Sequence, residues 1–472
     1  MNVCQFAATC LHGIGIRLLL LVLLVDLSVL VSVSGYKVPD YVIEYAPIIY
    51  LHSDDPFMPS DIAGHVEHTR PFLGFEPIPE AEVGLLDLNN LSSLNRYGTG
   101  DGKGKGKGKG ERVYLTSIDN VTSNPLPEWL LGETPDATTG ELYNSTACAV
   151  VVVESTESKE HQLDAFYFYF YSFNEGADIT QVLPPLNRIF PDASPGNHFG
   201  DHVGDWEHNM IRFKYGKPTG IYFSQHAGGQ VCDWDDEGCF SKQGQRPVVF
   251  SARGSHANYP SEGSHVHDEA LVDIADKGRL WDPLQPAWFY KYDPDTDTFV
   301  SADTDTSTGF GDGDANGGGT TYPTDWFYFQ GAWGDKKYND SDPRQKTVPY
   351  FGLKKYEDGP TGPKFKHLVR KGLMPDEKPK TNLMKVMVRW YLRLYGCCLH
   401  GFNPWVVVLG TLLVLAACVF VAVFAVIRIR RLAKRRWRQR KDRLGGEMGA
   451  GMISDMNIPL LDLERVDVEL ES

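Results

Sequence analysis

Apolar residues along this chain fall into runs of three kinds, and each kind predicts a different element. Residues 405–427 are uncharged for 23 positions. At about 1.5 Å per residue such a stretch crosses a hydrocarbon core of about 30 Å, so a transmembrane helix is predicted there. Residues 18–33 are also apolar, but Asp26 interrupts them, Arg17 precedes them, and Ser32 and Ser34 stand at the spacing that signal peptidase accepts. A cleaved signal peptide over residues 1–34 is expected. The third kind is short and rich in β-branched and aromatic residues: 148–153, 165–173, 210–215, 220–224 and 247–252 read as strands. Between Phe166 and Tyr171 the phenylalanines and tyrosines alternate. A period of two puts the rings on opposite faces of a central strand, with the phenolic face half solvated or hydrogen bonded.

No long helical period interrupts these runs, and an all-β fold follows: a luminal β-sandwich with long loops over residues 36–363, plus one C-terminal transmembrane helix. Two low-complexity stretches, the Gly/Lys alternation 98–110 and the Asp/Thr/Gly segment 293–321, cannot bury a core and read as loops. Residues 326–333 are predicted to resume an aromatic strand. Residues 364–404 read as a stalk, helical near 384–394, and 428–472 as a basic tail.

Charge supplies the orientation. Residues 428–443 hold ten Lys or Arg against the single acid Asp442, which places the tail in the cytosol and makes the topology type I. The same stretch should attract anionic lipids, although a stop-transfer role is sufficient to account for it. The net charge of the chain is −15; the tail from Arg428 carries eleven cations and eight acids, and Arg17 and Asp26 cancel, so the segment between holds −18. That excludes a nucleic-acid binder and suits cations, basic partners or simple solubility.

Of eight cysteines, Cys4 and Cys10 fall in the leader and Cys418 in the membrane span. The remainder are too few for a disulfide scaffold, but Cys232 and Cys239 can close a small loop in an oxidising compartment. Glycosylation sequons at Asn90, Asn120, Asn144 and Asn339 fit the same compartment.

The densest cluster of metal-capable side chains is the run from His198 to His208. On a strand, Asp205 and Glu207 share a face, and His202 can fold back toward them. One imidazole with two carboxylates suits a divalent cation, Ca, Mn or Zn, with the oxygen majority favouring a hard ion. Ser255 beside His256 makes no hydrolase, since no nucleophile elbow surrounds it and neighbours in a strand point apart. His265 and His267 follow on the same loop. Asp312, Asp314 and Asn316 copy half of a calcium loop, but Pro323 stands where the bidentate glutamate belongs, so no calcium is expected there. Pro459-Leu460-Leu461 after Asp455 misses an acidic dileucine spacing by one residue and reads as an apolar patch.

Gly204-Asp205-Trp206-Glu207-His208, Gly254-Ser255-His256-Ala257-Asn258-Tyr259-Pro260 and Tyr45-Ala46-Pro47 together resemble the fungal vacuolar protein sorting-associated protein 62 family, with the plant proteins that share its domain. The resemblance spans roughly residues 40–350 and implies delivery of proteins to the vacuole; it supplies no catalytic residues. More loosely, His202-x-x-Asp205-x-Glu207 is similar to the heart of the necrosis- and ethylene-inducing cytolysins. That similarity implies a β-sandwich holding a divalent cation at His202, Asp205 and Glu207, with Asp192 or Asp201 in place of a further upstream aspartate, while His256, His265 and His267 are placed to complete such a site from a neighbouring loop. The expectation is a non-enzymatic integral membrane protein of the vacuolar or late secretory pathway, whose luminal domain binds a cargo, glycan or lipid. The alternatives are a luminal metal-dependent hydrolase, with His256 or His208 moving protons, and a cytolysin-like surface protein of the plasma membrane.

Overall fold

The computed structural model describes residues 36–98, 111–155, 161–178, 185, 198–226, 228–266, 272–302, 321–347, 354–375, 386–387, 390–391 and 394–447. The leader, the Gly/Lys stretch from residue 99, Asp192, His267, the half calcium loop and the last residues of the tail lie outside them. The chain divides into one unit through Cys397 and another from Cys398.

The described residues are mostly β. A seven-stranded sheet is ordered β6 (Gly228–Asp233), β5 (Lys217–Gln225), β4 (His202–Lys214), β3 (Gln162–Asn174), β2 (Cys148–Glu154), β11 (Ala287–Asp293) and β12 (Thr298–Ser301). Its pairs are antiparallel except β2 with β11. A smaller sheet runs β7 (Lys242–Gln243), β8 (Arg246–Ser251), β1 (Ile48–Leu51) and β10 (Arg279–Trp281), with β9 (Asn258–Tyr259) also on β8.

The alternation within β3 is the key to the packing. Tyr167, Tyr169 and Tyr171 share one apolar cluster with Ile49, Leu51, Val249 and Trp281 of the smaller sheet. Phe166, Phe168 and Phe170 enter a second cluster with Trp206, Trp326 and Trp333. Both faces of the central sheet are thus covered, and the phenolic face is buried rather than half solvated. Burial requires partners for the hydroxyls. Tyr167 donates to the Val42 carbonyl at 2.6 Å and Tyr169 to Asn209 Oδ1 at 3.0 Å.

Three sequence expectations need correction. Residues 326–333 form no strand: a 3-10 turn spans Asp325–Tyr328, because Trp326 and Phe327 are both fully buried in the second cluster. Consecutive residues of a strand cannot face one core. Residues from Asp293 do not begin a loop, since Thr298–Ser301 pairs back onto β11. The presumed stalk from residue 364 begins as part of the domain. Leu368 is buried there, and Arg370 lies 4.9 and 4.6 Å from the Phe166 and Tyr222 ring centres. Arg212, paired twice to Asp164 at 2.7 Å, holds the Arg370 and Lys371 carbonyls.

Cys232 and Cys239 are joined in a disulfide with Cα atoms 5.8 Å apart. In the second unit α2 (Pro404–Glu447) contains the apolar run and is long and apolar enough to cross a membrane. It continues beyond residue 427 into the basic stretch.

Candidate functional site

Strand β4 enters the sheet through Gly204, whose φ of +68° is the left-handed region that favours glycine. From there the register with β3 is regular: Tyr171 faces Asp205 and Tyr169 faces Glu207. Asp205 and Glu207 therefore stand on the tyrosine face, both nearly closed to solvent, and Trp206 and His208 on the other. The loop after β8 reaches the same face. Gly254, with φ +71°, and His256, with φ +52°, turn it sharply.

At this point the two motifs meet. His256 is wholly buried; its Nδ1–H donates to Asp205 Oδ2 at 3.0 Å, its Nε2 stands 3.8 Å from Asp55 Oδ2. Its ring stacks on Tyr171 with centroids 3.7 Å apart and planes within 1°. Gly254 N–H donates to Asp55 at 2.7 Å. Ser255 and Tyr259 both donate to Asp273, at 3.0 and 2.6 Å, and His226 donates to the same carboxylate at 2.8 Å. Ser224 donates to Glu207 at 2.5 Å. Each polar residue of the second motif is thus spent on a buried carboxylate or carbonyl.

The electrostatics follow from burial with two acids on one imidazole. Burial opposes charge on His256, but the hydrogen bond to Asp205 and the charges of Asp55, Asp205 and Glu207 outweigh it and raise the imidazole above its ordinary range. Burial would raise Asp205, yet His256 and His202 hold it below the usual carboxylate value. For Glu207, burial and the charge of Asp205 outweigh Lys366, the Ser224 hydrogen bond and His226, and lift it to about 7. A raised carboxyl contributes stability that is complete below its unfolded value, 4.5, and is lost as pH rises through 7. Glu207→Gln keeps the neutral shape without the titration. Chemical denaturation should find the variant level with wild type near pH 4 and about 1–3 kcal/mol more stable near pH 8. Equal pH profiles for the two proteins would refute this reading of Glu207.

The side chains expected to hold a cation, His202, Asp205 and Glu207, are engaged by other partners. Among the described residues no group of three or more His, Cys, Asp or Glu could hold a metal ion. Asp205 is taken by His256 and Glu207 by Ser224, while the His202 ring donates to the Gly204 carbonyl at 2.7 Å. Asp201, the alternative ligand, bonds Lys355 at 2.6 Å and the Gly176 amide at 3.0 Å. His256, the other alternative, bonds Asp205 and faces Asp55. His265 stacks on Tyr259 and donates to the Ser261 carbonyl. His208, kept neutral by burial and by Arg370, accepts from Arg370 at 2.9 Å. Ser255 and His256 diverge to different acids, as adjacent residues should. Of the sequons, Asn120, Asn144 and Asn339 are exposed, and Asn90 is half-buried with its amide on the Leu85 carbonyl. The sequence reading missed Asp55, Tyr171, Ser224 and Asp273, which carry no motif and are recruited only by the meeting of the sheets.

The model of the family described as vacuolar protein sorting-associated protein 62 matches residues 164–277, a segment that contains both motifs. Vacuolar protein sorting-associated protein 62 of Saccharomyces cerevisiae is 34% identical over 355 residues, covering 71% of this chain and 68% of its own. The protein TDA6 of the same yeast is 34% identical over 368 residues with the same two shares. Among solved structures, necrosis and ethylene inducing protein 2 from the causal agent of cocoa's Witches Broom disease is 9% identical with a TM-score of 0.21, over 52% of this chain and 72% of that one. The non-toxic HaNLP3 protein is 10% identical with a TM-score of 0.23, over 54% and 77%. No site is carried over from likeness at that level.

Proposed function

Since this chain belongs to the vacuolar protein sorting-associated protein 62 family, we propose that it serves protein sorting to the vacuole as a single-pass membrane protein. We read the two facing sheets as a β-sandwich held in the lumen, with the basic stretch after residue 427 in the cytosol against anionic lipid. The domain there binds a cargo, glycan or lipid. The observation that carries the reading is the 34% identity to the yeast sorting protein over 71% of the chain; the apolar helix supports the anchor.

Deletion of the gene should divert a soluble vacuolar hydrolase into the medium, and the full chain should restore its delivery. A deletion strain that delivers the hydrolase normally would overturn the sorting role. The same cells test the buried cluster, since Asp205→Asn should restore delivery less well than wild type at equal protein level. Metal analysis of the purified chain should find well below one divalent ion per molecule, because His256 and Ser224 already satisfy Asp205 and Glu207. Stoichiometric metal lost on changing Asp205 and Glu207 to alanine would reverse that conclusion.

A further inference from the structure

On the face of β3 opposite Tyr171, a cavity of about 500 Å³ opens between α1 (Ile62–Glu67) and the segment 129–145. Its size is that of a small-molecule site. Its lining is unlike that of an apolar pocket: no aliphatic side chain and no Lys or Arg contributes to it. The wall is aromatic, with the His68 ring stacked on the Trp129 indole, centroids 5.0 Å apart and planes within 5°. The indole is fixed from behind, its N–H donating to Asp119 at 2.9 Å. The buried floor is hydroxyl and imidazole: Ser60 and Ser172, the latter 3.3 Å from His65 Nδ1.

Two carboxylates complete the lining, and each already accepts two backbone amides. Asp61 accepts the Gly64 and Thr146 amides at 2.6 and 2.7 Å. Glu133 accepts the Tyr143 and Asn144 amides at 2.9 and 3.0 Å. Each carboxylate oxygen can accept more than one bond, so each can still receive a hydroxyl. An anion finds no positive group here, and an aliphatic ligand would strand these polar atoms. An uncharged ring with hydroxyls on its edge and C–H groups on its face matches both wall and floor.

We propose that this cavity is a saccharide-binding site, with the Trp129 and His68 pair as the stacking wall and Asp61 and Glu133 as hydroxyl acceptors. It rests on the proposed reading of a ligand-binding domain, selecting the glycan among its ligands, and stands apart from the Asp205 and His256 cluster. The pyranose has two sources. Asn144, which begins the sequon Asn144-Ser145-Thr146, is exposed and lines the mouth, so the chain's own glycan would start there; the other source is a glycan on a second glycoprotein.

The test uses the full chain in detergent, before and after enzymatic removal of N-glycans, titrated with mannose and with N-acetylglucosamine oligomers. The deglycosylated protein should bind at least one of these, Trp129→Ala should weaken binding about tenfold or more, and Trp129→Phe should retain most of it with unchanged thermal unfolding. If the chain's own glycan fills the site, Asn144→Gln will bind free sugar about tenfold more tightly than untreated wild type. Equal affinity, with sugar bound, assigns the site to another chain's glycan. No binding of either sugar series at millimolar concentration, or full binding by Trp129→Ala, overturns the proposal.

Discussion

His256→Ala is expected to cost about 3–5 kcal/mol of stability, because it removes the imidazole that stands between two buried acids. The imidazole is 0% exposed and touches Asp205 at 3.0 Å and Asp55 at 3.8 Å. Deleting it takes from Asp205 and Asp55 a partner that His202 and the Gly254 amide replace only in part, in a space closed by Tyr171, and leaves the void of the lost ring. Backbone strain adds only a minor part of the loss, since φ +52° disfavours alanine somewhat more than histidine. The decisive measurement is a double-mutant cycle in denaturant. Asp205→Asn placed on His256→Ala should recover part of the loss, because it removes one stranded charge. Strictly additive losses would show that His256 acts as filler and not as counter-ion.

Gly204→Ala should be of similar size, about 3 kcal/mol or more, for a steric reason. A Cβ there would lie 1.9 Å from the Trp333 carbonyl oxygen, and backbone cannot swing aside as a side chain can. The approach is mutual: a Cβ on Gly334 would lie 1.8 Å from the Val203 carbonyl oxygen. The cost of φ +68° adds to the clash. Gly244→Ala is the control, for its φ is +64° and nothing lies within 4 Å of the added carbon. It should cost only about 1 kcal/mol, the strain alone. Thermal unfolding of the two variants side by side separates strain from contact, and equal losses would remove the contact from the account.

Much of this protein is legible along the chain. Uncharged residues 405–427 answer to lipid thickness alone, so the helix long enough to cross a membrane needs no tertiary partner to be foreseen. Strict alternation from Phe166 to Tyr171 predicts a central strand because the pleat sends neighbours to opposite faces wherever the strand lies. The same period places Asp205 and Glu207 together, as the structure finds them. Spacing also brings Cys232 and Cys239 within reach of one another.

What the tertiary structure decided is the company those side chains keep. A carboxylate pair on one face reads as a cation site when only local periodicity is known. Only the docking of the smaller sheet brings His256, 51 positions away, between Asp205 and Asp55 and makes a buried ion pair of them. Trp326 and Phe327 look like strand residues for the same reason: β propensity reports a ring that wants burial, and the core, not the local chain, sets the direction in which it is buried. Sequence by itself determined which residues must leave water and with what period. Closure of the two sheets determined which charges would face one another, because electrostatic partners are matched across space and carry no local signal.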